Sequence, residues 1–437
     1  NIQKARALIE QNLAAEQASV MDRRVKAGLD ATDPERSVRD EAIRTLETLL
    51  EDQSATPEDR FRLAQMYKAT GAWTKASALF RKLIAVAGNE PRYLSTYVSA
   101  LLENNETTTA EAYLERLESA LPNHINSVGL RAEVLVAKGE PDKALALLSA
   151  FLEKADSRPT DRNLRERLVA EKIEQLAKQL NKPDQKAIAD RFVHRAEMLY
   201  RSFLDKNPNK APGQDLILVA FLGRSGRTDD ALDLLQRTWD SSNPAVLSQV
   251  CSILLSNGKI GKEQTRRLEE ILKSALKQFD RPVPLLMINA ELCTKLGRYG
   301  DAEAGYREIL QKNSGNAYAL NNLALLLALQ GDKLEESLKL IGQAVEIAGP
   351  VGAMLDSRAS VYLALGETEK AMNDLADALA DAETPVRYFH QAQAYDRAGK
   401  QREAATSMRK AMQKGLTKEM LHPLEIPAFE KLKQMAK

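Results

Sequence analysis

The chain has 437 residues, of which 44% are apolar and only 5% aromatic, and 62 Lys and Arg face 61 Asp and Glu. Even, scattered charge gives no basic stripe for a polyanion, so a nucleic-acid partner is not expected. No run approaches the ~18 apolar residues of a membrane span, and two cysteines, Cys251 and Cys293, neither frame a disulfide scaffold nor show metal-type spacing.

In chain order, the start Asn1-Ile2-Gln3-Lys4-Ala5 lacks Met and runs directly into an amphipathic pattern, which reads as an excised or processed product. Residues 1–56 are expected to form an extended helical hairpin with Ala42 and Leu46 in its second helix. Residues 57–157 hold three regular units (57–90, 91–124 and 125–157). Residues 158–211 carry longer helices broken at Asn181-Lys182-Pro183. Residues 212–418 hold about six more units, beginning with 212–243 and a long one at 244–282 around Gly258, then 283–316, 317–351, 352–384 and 385–418. The tail, 419–437, places Pro423 and Pro427 before an amphipathic segment and is expected to be a capping helix, because the last hairpin of an array has no neighbour to cover it.

The units are read from a recurring turn. Gly297, Gly331, Gly366 and Gly399 are 34, 35 and 33 residues apart, and Gly71 and Gly139 are 68 apart with Asn105 midway. Gly and Asn tolerate the left-handed conformation that ends a helix. Small residues flank each turn at fixed offsets, as Ala64 and Ala76 do around Gly71, and Ala359 and Ala371 around Gly366. Large residues recur too, before the turn (Tyr67, Leu135, Tyr362, Tyr395) and after it (Phe80, Leu148, Tyr306, Leu375).

This order of small, large, turn, small, large and a closing proline such as Pro122 or Pro208 resembles the tetratricopeptide repeat, a helix–turn–helix of about 34 residues. Leu320-Asn321-Asn322-Leu323-Ala324 is similar to that family's first helix, and the pattern covers nearly the whole chain. The resemblance implies an all-α fold: a right-handed superhelical solenoid of antiparallel helix pairs, roughly ten or eleven hairpins long. It also implies that first helices line a groove.

Catalytic chemistry is not legible. His124, His194, His390 and His422 are far apart, and none pairs with another His or Cys at helical i, i+4 spacing. The glycines of Gly223-Arg224-Ser225-Gly226 and Ser256-Asn257-Gly258-Lys259 lack the spacing of a phosphate loop. The family's clamp for acidic C-termini is also missing its basic residues: Asn322 matches one position, but Met287, Glu291, Ala353 and Ser357 stand at the others.

The expected function is therefore a non-catalytic scaffold that binds a protein or peptide partner in the groove, with no cofactor, metal or membrane insertion. The preferred site joins Tyr318, Asn322 and Leu325 to Ser357, Ser360, Phe389 and His390; Leu216 and Ile217 are the second choice. Phe61, Arg62, Met287 and Ile288 are further groove positions. The alternative is a regulatory or docking arm of a larger enzyme or assembly, and a third possibility is an enzyme with its site in the long hairpin at 158–211.

Overall fold

The computed structural model describes residues 9, 11–12, 19–33, 35–153, 159–180, 182–206, 211–256 and 260–436, without the side chains of 159–162. The opening pentapeptide, the Asn181 break, the proline at Pro208 and the turn around Gly258 lie outside the described residues. Among the described residues there are 23 α-helices and no strand. They fall into two compact units, residues 1–33 with 37–210, and residues 211–437 with 34–36.

Unit 1 contains α1 (Val20–Asp30), α2 (Arg36–Glu51), α3 (Pro57–Ala69), α4 (Trp73–Ala87), α5 (Pro91–Glu103), α6 (Thr107–Ala120), α7 (Ile125–Ala137), α8 (Pro141–Glu153), α9 (Pro159–Gln179) and α10 (Lys186–Asp205). First helix α5, for example, packs on its own second helix α6 and on the next first helix α7. The start of α3 shows how a boundary is set. Pro57 presets the first turn, Asp59 N–H donates to Thr56 Oγ1 at 3.2 Å, and Thr56 N–H donates to Asp59 Oδ2 at 2.9 Å. That reciprocal pair satisfies two donors a helix would otherwise leave open. Arg24 Nε also donates to Asp59 at 2.7 Å, which ties α1 to the cap.

Unit 2 contains α11 (Leu216–Arg224), α12 (Thr228–Thr238), α13 (Pro244–Ser256), α14 (Lys262–Gln278), α15 (Val283–Lys295) and α16 (Tyr299–Lys312). It continues through α17 (Ala317–Gln330), α18 (Leu334–Ala348), α19 (Gly352–Leu365), α20 (Thr368–Asp381), α21 (Pro385–Arg397), α22 (Gln401–Gln413) and α23 (Ile426–Met435). The turn at Gly366 is representative: at φ +80° it closes α19, its N–H donating to Leu363 and that of Glu367 to Tyr362. A side chain there would be forced into the left-handed region, which is why the recurring residue is glycine.

The small residues do what their spacing demands. Ala64, Ala76, Ala290, Ala302, Ala359 and Ala371 are all fully buried. At one crossing, a Cβ added to Gly305 would stand 3.1 Å from Ala290 Cβ, so α15 and α16 meet with no room to spare. After the turn, Phe80, Leu148, Tyr306 and Leu375 are buried; before it, Leu135, Tyr362 and Tyr395 are half-buried. Each unit is thus a stack of antiparallel helix pairs, an all-α solenoid whose stability is distributed along the stack.

Candidate functional site

First helices present one face away from their partners, and the two units use that face differently. In unit 1 it forms a cleft of about 1120 Å³. Helical spacing brings Ser95 and Ser99 of α5, Asn126 and Glu133 of α7, and Lys172 and Gln175 of α9 to its walls. Lys172 Nζ donates to Glu133 Oε1 at 2.6 Å and to Gln175 Oε1 at 2.9 Å, bridging α9 to α7. Gly129 leaves room for this bridge. A Cβ there would stand 2.8 Å from Lys172 Cε, so a side chain at this position would make the end of the lysine stem shift from its course across α7.

The cleft offers amides, hydroxyls, some apolar side chains and balanced charge, Glu103, Glu133 and Glu171 against Lys138, Lys172 and Lys182. Such a lining can exchange hydrogen bonds with a peptide main chain, whose donors and acceptors alternate. No group of three or more His, Cys, Asp or Glu among the described residues is placed to hold a metal ion. Cys251, fully buried in α13, has its thiol pushed up to about 12 by burial, so it is not a ready nucleophile.

Unit 2 contains the residues singled out in the sequence. Tyr318 is 71% exposed on α17, and Asn322 and Leu325 follow one and two turns later, both half-buried. Asn322 Nδ2 lies 3.9 Å from Met287 Sδ, which joins α17 to α15. The remaining positions are packed. Ser357, Ser360 and His390 are buried, and Ser360 Oγ turns back to donate to Asp356 O at 3.3 Å. Phe389 has no exposed surface: its ring meets that of Phe429 on α23 at 6.2 Å, edge to face. Leu216, Phe61 and Ile288 are buried too, while Ile217, Arg62 and Met287 are half-buried. The arrangement therefore brings together Tyr318, Asn322 and Leu325, and withdraws Phe389 and Leu216 from any surface a partner could touch.

Part of this face is covered by the chain's own tail. After α22, Gly415 at φ +88° turns the chain, two short 3-10 turns follow at Lys418–Met420 and Pro423–Glu425, and α23 then caps α21 and α22. The second turn lies against α17 as well, so the segment crosses back over the first-helix face before the cap begins. His422 stacks on Tyr299 at 5.8 Å.

Glu425 closes the crossing. Its Oε1 is 3.0 Å from His390 Nε2, while His390 Nδ1 is 2.7 Å from Asp356 Oδ1 on α19. The other oxygen of Glu425 accepts the His422 N–H at 3.2 Å. With a carboxylate at each ring nitrogen, both must donate, so His390 is an imidazolium. Burial alone would lower its pKa; Asp356 and Glu425 outweigh that and hold it well above the ordinary value of 6.5. Glu425 is likewise subject to burial, which raises it, but the His390 charge and hydrogen bond bring it below 4.5.

Sequence reasoning offered His390 as a groove residue, whereas the structure buries it between Asp356 and Glu425. A 34-residue spacing links Asp356 to His390 one repeat apart, and that signal was available. The Glu425 contact had none. Gly129, a glycine inside a helical pattern, was the one legible sign of the Lys172 bridge.

Tandem antiparallel helix pairs with a first-helix face lined by peptide-compatible groups define an α-helical repeat scaffold. Residues 295–353, which span α16, α17 and α18 and reach the start of α19, match the family model of the tetratricopeptide repeat. The chain is a helical-repeat protein, and within its stack this segment is similar to the tetratricopeptide repeat. It is 26% identical over 358 residues to cellulose synthase operon protein C of Pseudomonas fluorescens, covering 76% of this chain and 26% of that protein. It is 27% identical over 197 residues to a TPR repeat-containing protein of Pseudomonas aeruginosa, covering 43% of this chain and 30% of that protein. The chain thus spans between a quarter and a third of the length of these curated relatives. Among solved structures, a tetratricopeptide repeat protein from Parabacteroides merdae aligns at 18% identity and a TM-score of 0.45, over 61% of this chain and 98% of that one.

Proposed function

We propose that the chain is a non-catalytic interaction scaffold that holds an extended segment of a protein partner in the cleft of unit 1, across α5, α7 and α9. The observation that carries this reading is the cleft itself, lined from three successive first helices by hydroxyl and amide groups. Three helices at ordinary spacing span about 20 Å, the reach of about six extended residues. Matched charge at Lys172 and Glu133 favours a neutral polar segment over a highly charged one.

Selection from a displayed random-peptide library, followed by calorimetry, tests it. Selected peptides should lose at least tenfold in affinity against Ser99→Arg, which fills the cleft, while the melting temperature stays close to wild type. Peptides that bind Ser99→Arg as tightly as wild type would place the site elsewhere.

A second reading keeps the cleft and makes the chain a docking arm of a larger enzyme or assembly. The 26% identity to a protein named for a cellulose synthase operon favours it. Native gel migration of the chain from its own cells, alone or within a larger complex, separates the two readings.

A further inference from the structure

The crossing tail has the features of an occupant and not only of a cap. A cap needs α23, whose Phe429 and Leu432 cover the end of the last hairpin. The crossing from Lys418 to Glu425 does something additional: it reaches past the last hairpin to α17 and to Tyr299. It is built from turns instead of a continuous helix, and its strongest polar contact to the array is one carboxylate on one buried histidine. His390 has a cationic ring that must face anions on both sides; Asp356 supplies one from the array itself, and the second comes from outside it.

We propose that residues 418–425 are a strap occupying the first-helix face of unit 2 in cis, and that His390 is the carboxylate receptor through which an acidic segment of a partner protein replaces Glu425. A tethered carboxylate competes at an effective concentration in the millimolar range, so a partner displaces it only by adding contacts. The helix that the strap contacts, α17, supplies them: its Tyr318 stands 71% exposed, with Asn322 and Leu325 following on the same helix. The fitting partner is thus a peptide with one Glu or Asp and a neighbouring apolar or aromatic residue. This surface is separate from the unit 1 cleft, and either reading can fail alone.

The test uses the full chain and, as probe, a fluorescent synthetic peptide of the chain's own residues 417–426. In Glu425→Gln the cis carboxylate is gone, and anisotropy should show the probe binding at least tenfold tighter than to wild type. The Glu425→Gln/His390→Gln double variant should lose that gain, as should a probe carrying Gln in place of Glu425 with Glu419 kept. Hydrogen exchange supplies an independent reading. Amides of 418–425 should exchange at least tenfold faster in Glu425→Gln than in wild type, while α23 keeps its protection. Equal probe affinity for wild type and Glu425→Gln, or exchange rising in the strap and α23 together, would overturn the proposal and reduce the segment to part of the cap.

Discussion

The first-helix face of unit 1 is an open polar cleft, whereas the same face of unit 2 is crossed by the chain's own tail. The repeat pattern underlying both is the same: buried alanines at the crossings and left-handed glycines at the turns. The two faces differ in features outside that pattern. In unit 1 a glycine within α7 lets Lys172 bridge two helices without closing the cleft. In unit 2 a buried histidine recruits a carboxylate from beyond the last hairpin. Periodic residues thus determine that a face exists, and non-periodic ones determine whether it is free.

The largest expected effects bear on the closed side. Phe389→Ala should cost about 3–5 kcal/mol in urea unfolding, because it empties a fully buried aromatic site. Tyr395→Ala, at a half-buried position, should cost less. Similar losses at both would mean that α23 does not seal Phe389. His390→Ala should also cost about 3–5 kcal/mol, since it leaves two carboxylates facing each other without their cation. Adding Glu425→Gln to that variant should recover part of the loss, and strict additivity would deny the coupling.

Next come the crossings common to both units. Ala324→Leu or Ala359→Leu should cost about 1–3 kcal/mol by overpacking, against almost nothing for exposed Glu403→Leu. Ala324 is especially restrictive because its carbonyl accepts the Ser337 hydroxyl at 2.7 Å.

These alanines were legible from spacing alone, as were the glycine turns, because a crossing or a positive φ tolerates few residues. Tyr318, Asn322 and Leu325 were legible as one face, since helical periodicity fixes it. Phe389 was not separable from a groove residue, because an apolar side chain looks the same whether a partner or α23 covers it. Glu425 was unreadable for a related reason. Its contact with His390 spans 35 residues and depends on how a turn returns, which no local pattern encodes.

Smaller effects sharpen the contrast. Gly129→Ala should shift unit 1 stability by less than about 1 kcal/mol, because gained helix propensity offsets a displaced lysine stem. A larger loss would show the Lys172 bridge to be structural. In unit 2 the signature is pH dependence. The folded pKa of His390 lies above 6.5, so its contribution is complete below 6.5 and is lost as pH rises through the folded value. That of Glu425 lies below 4.5, so its contribution is present above 4.5 and lost as pH falls through the folded value. Asp356 is the other charged group on the ring, and nearby His422, whose pKa burial lowers, is neutral near pH 7. The melting temperature of wild type minus that of the Glu425→Gln/His390→Gln double variant should therefore peak between about 4.5 and 6.5. A difference that is flat with pH would remove the imidazolium from the account.

The central claim is that wild-type protein offers its unit 1 face and withholds its unit 2 face. Hydrogen exchange of the full chain, with and without a saturating library-selected peptide that lacks acidic residues, tests this directly. Protection should rise on α5, α7 and α9 and stay unchanged on α17, α19 and α21. Protection appearing on the unit 2 helices, with α5, α7 and α9 unaffected, would contradict it.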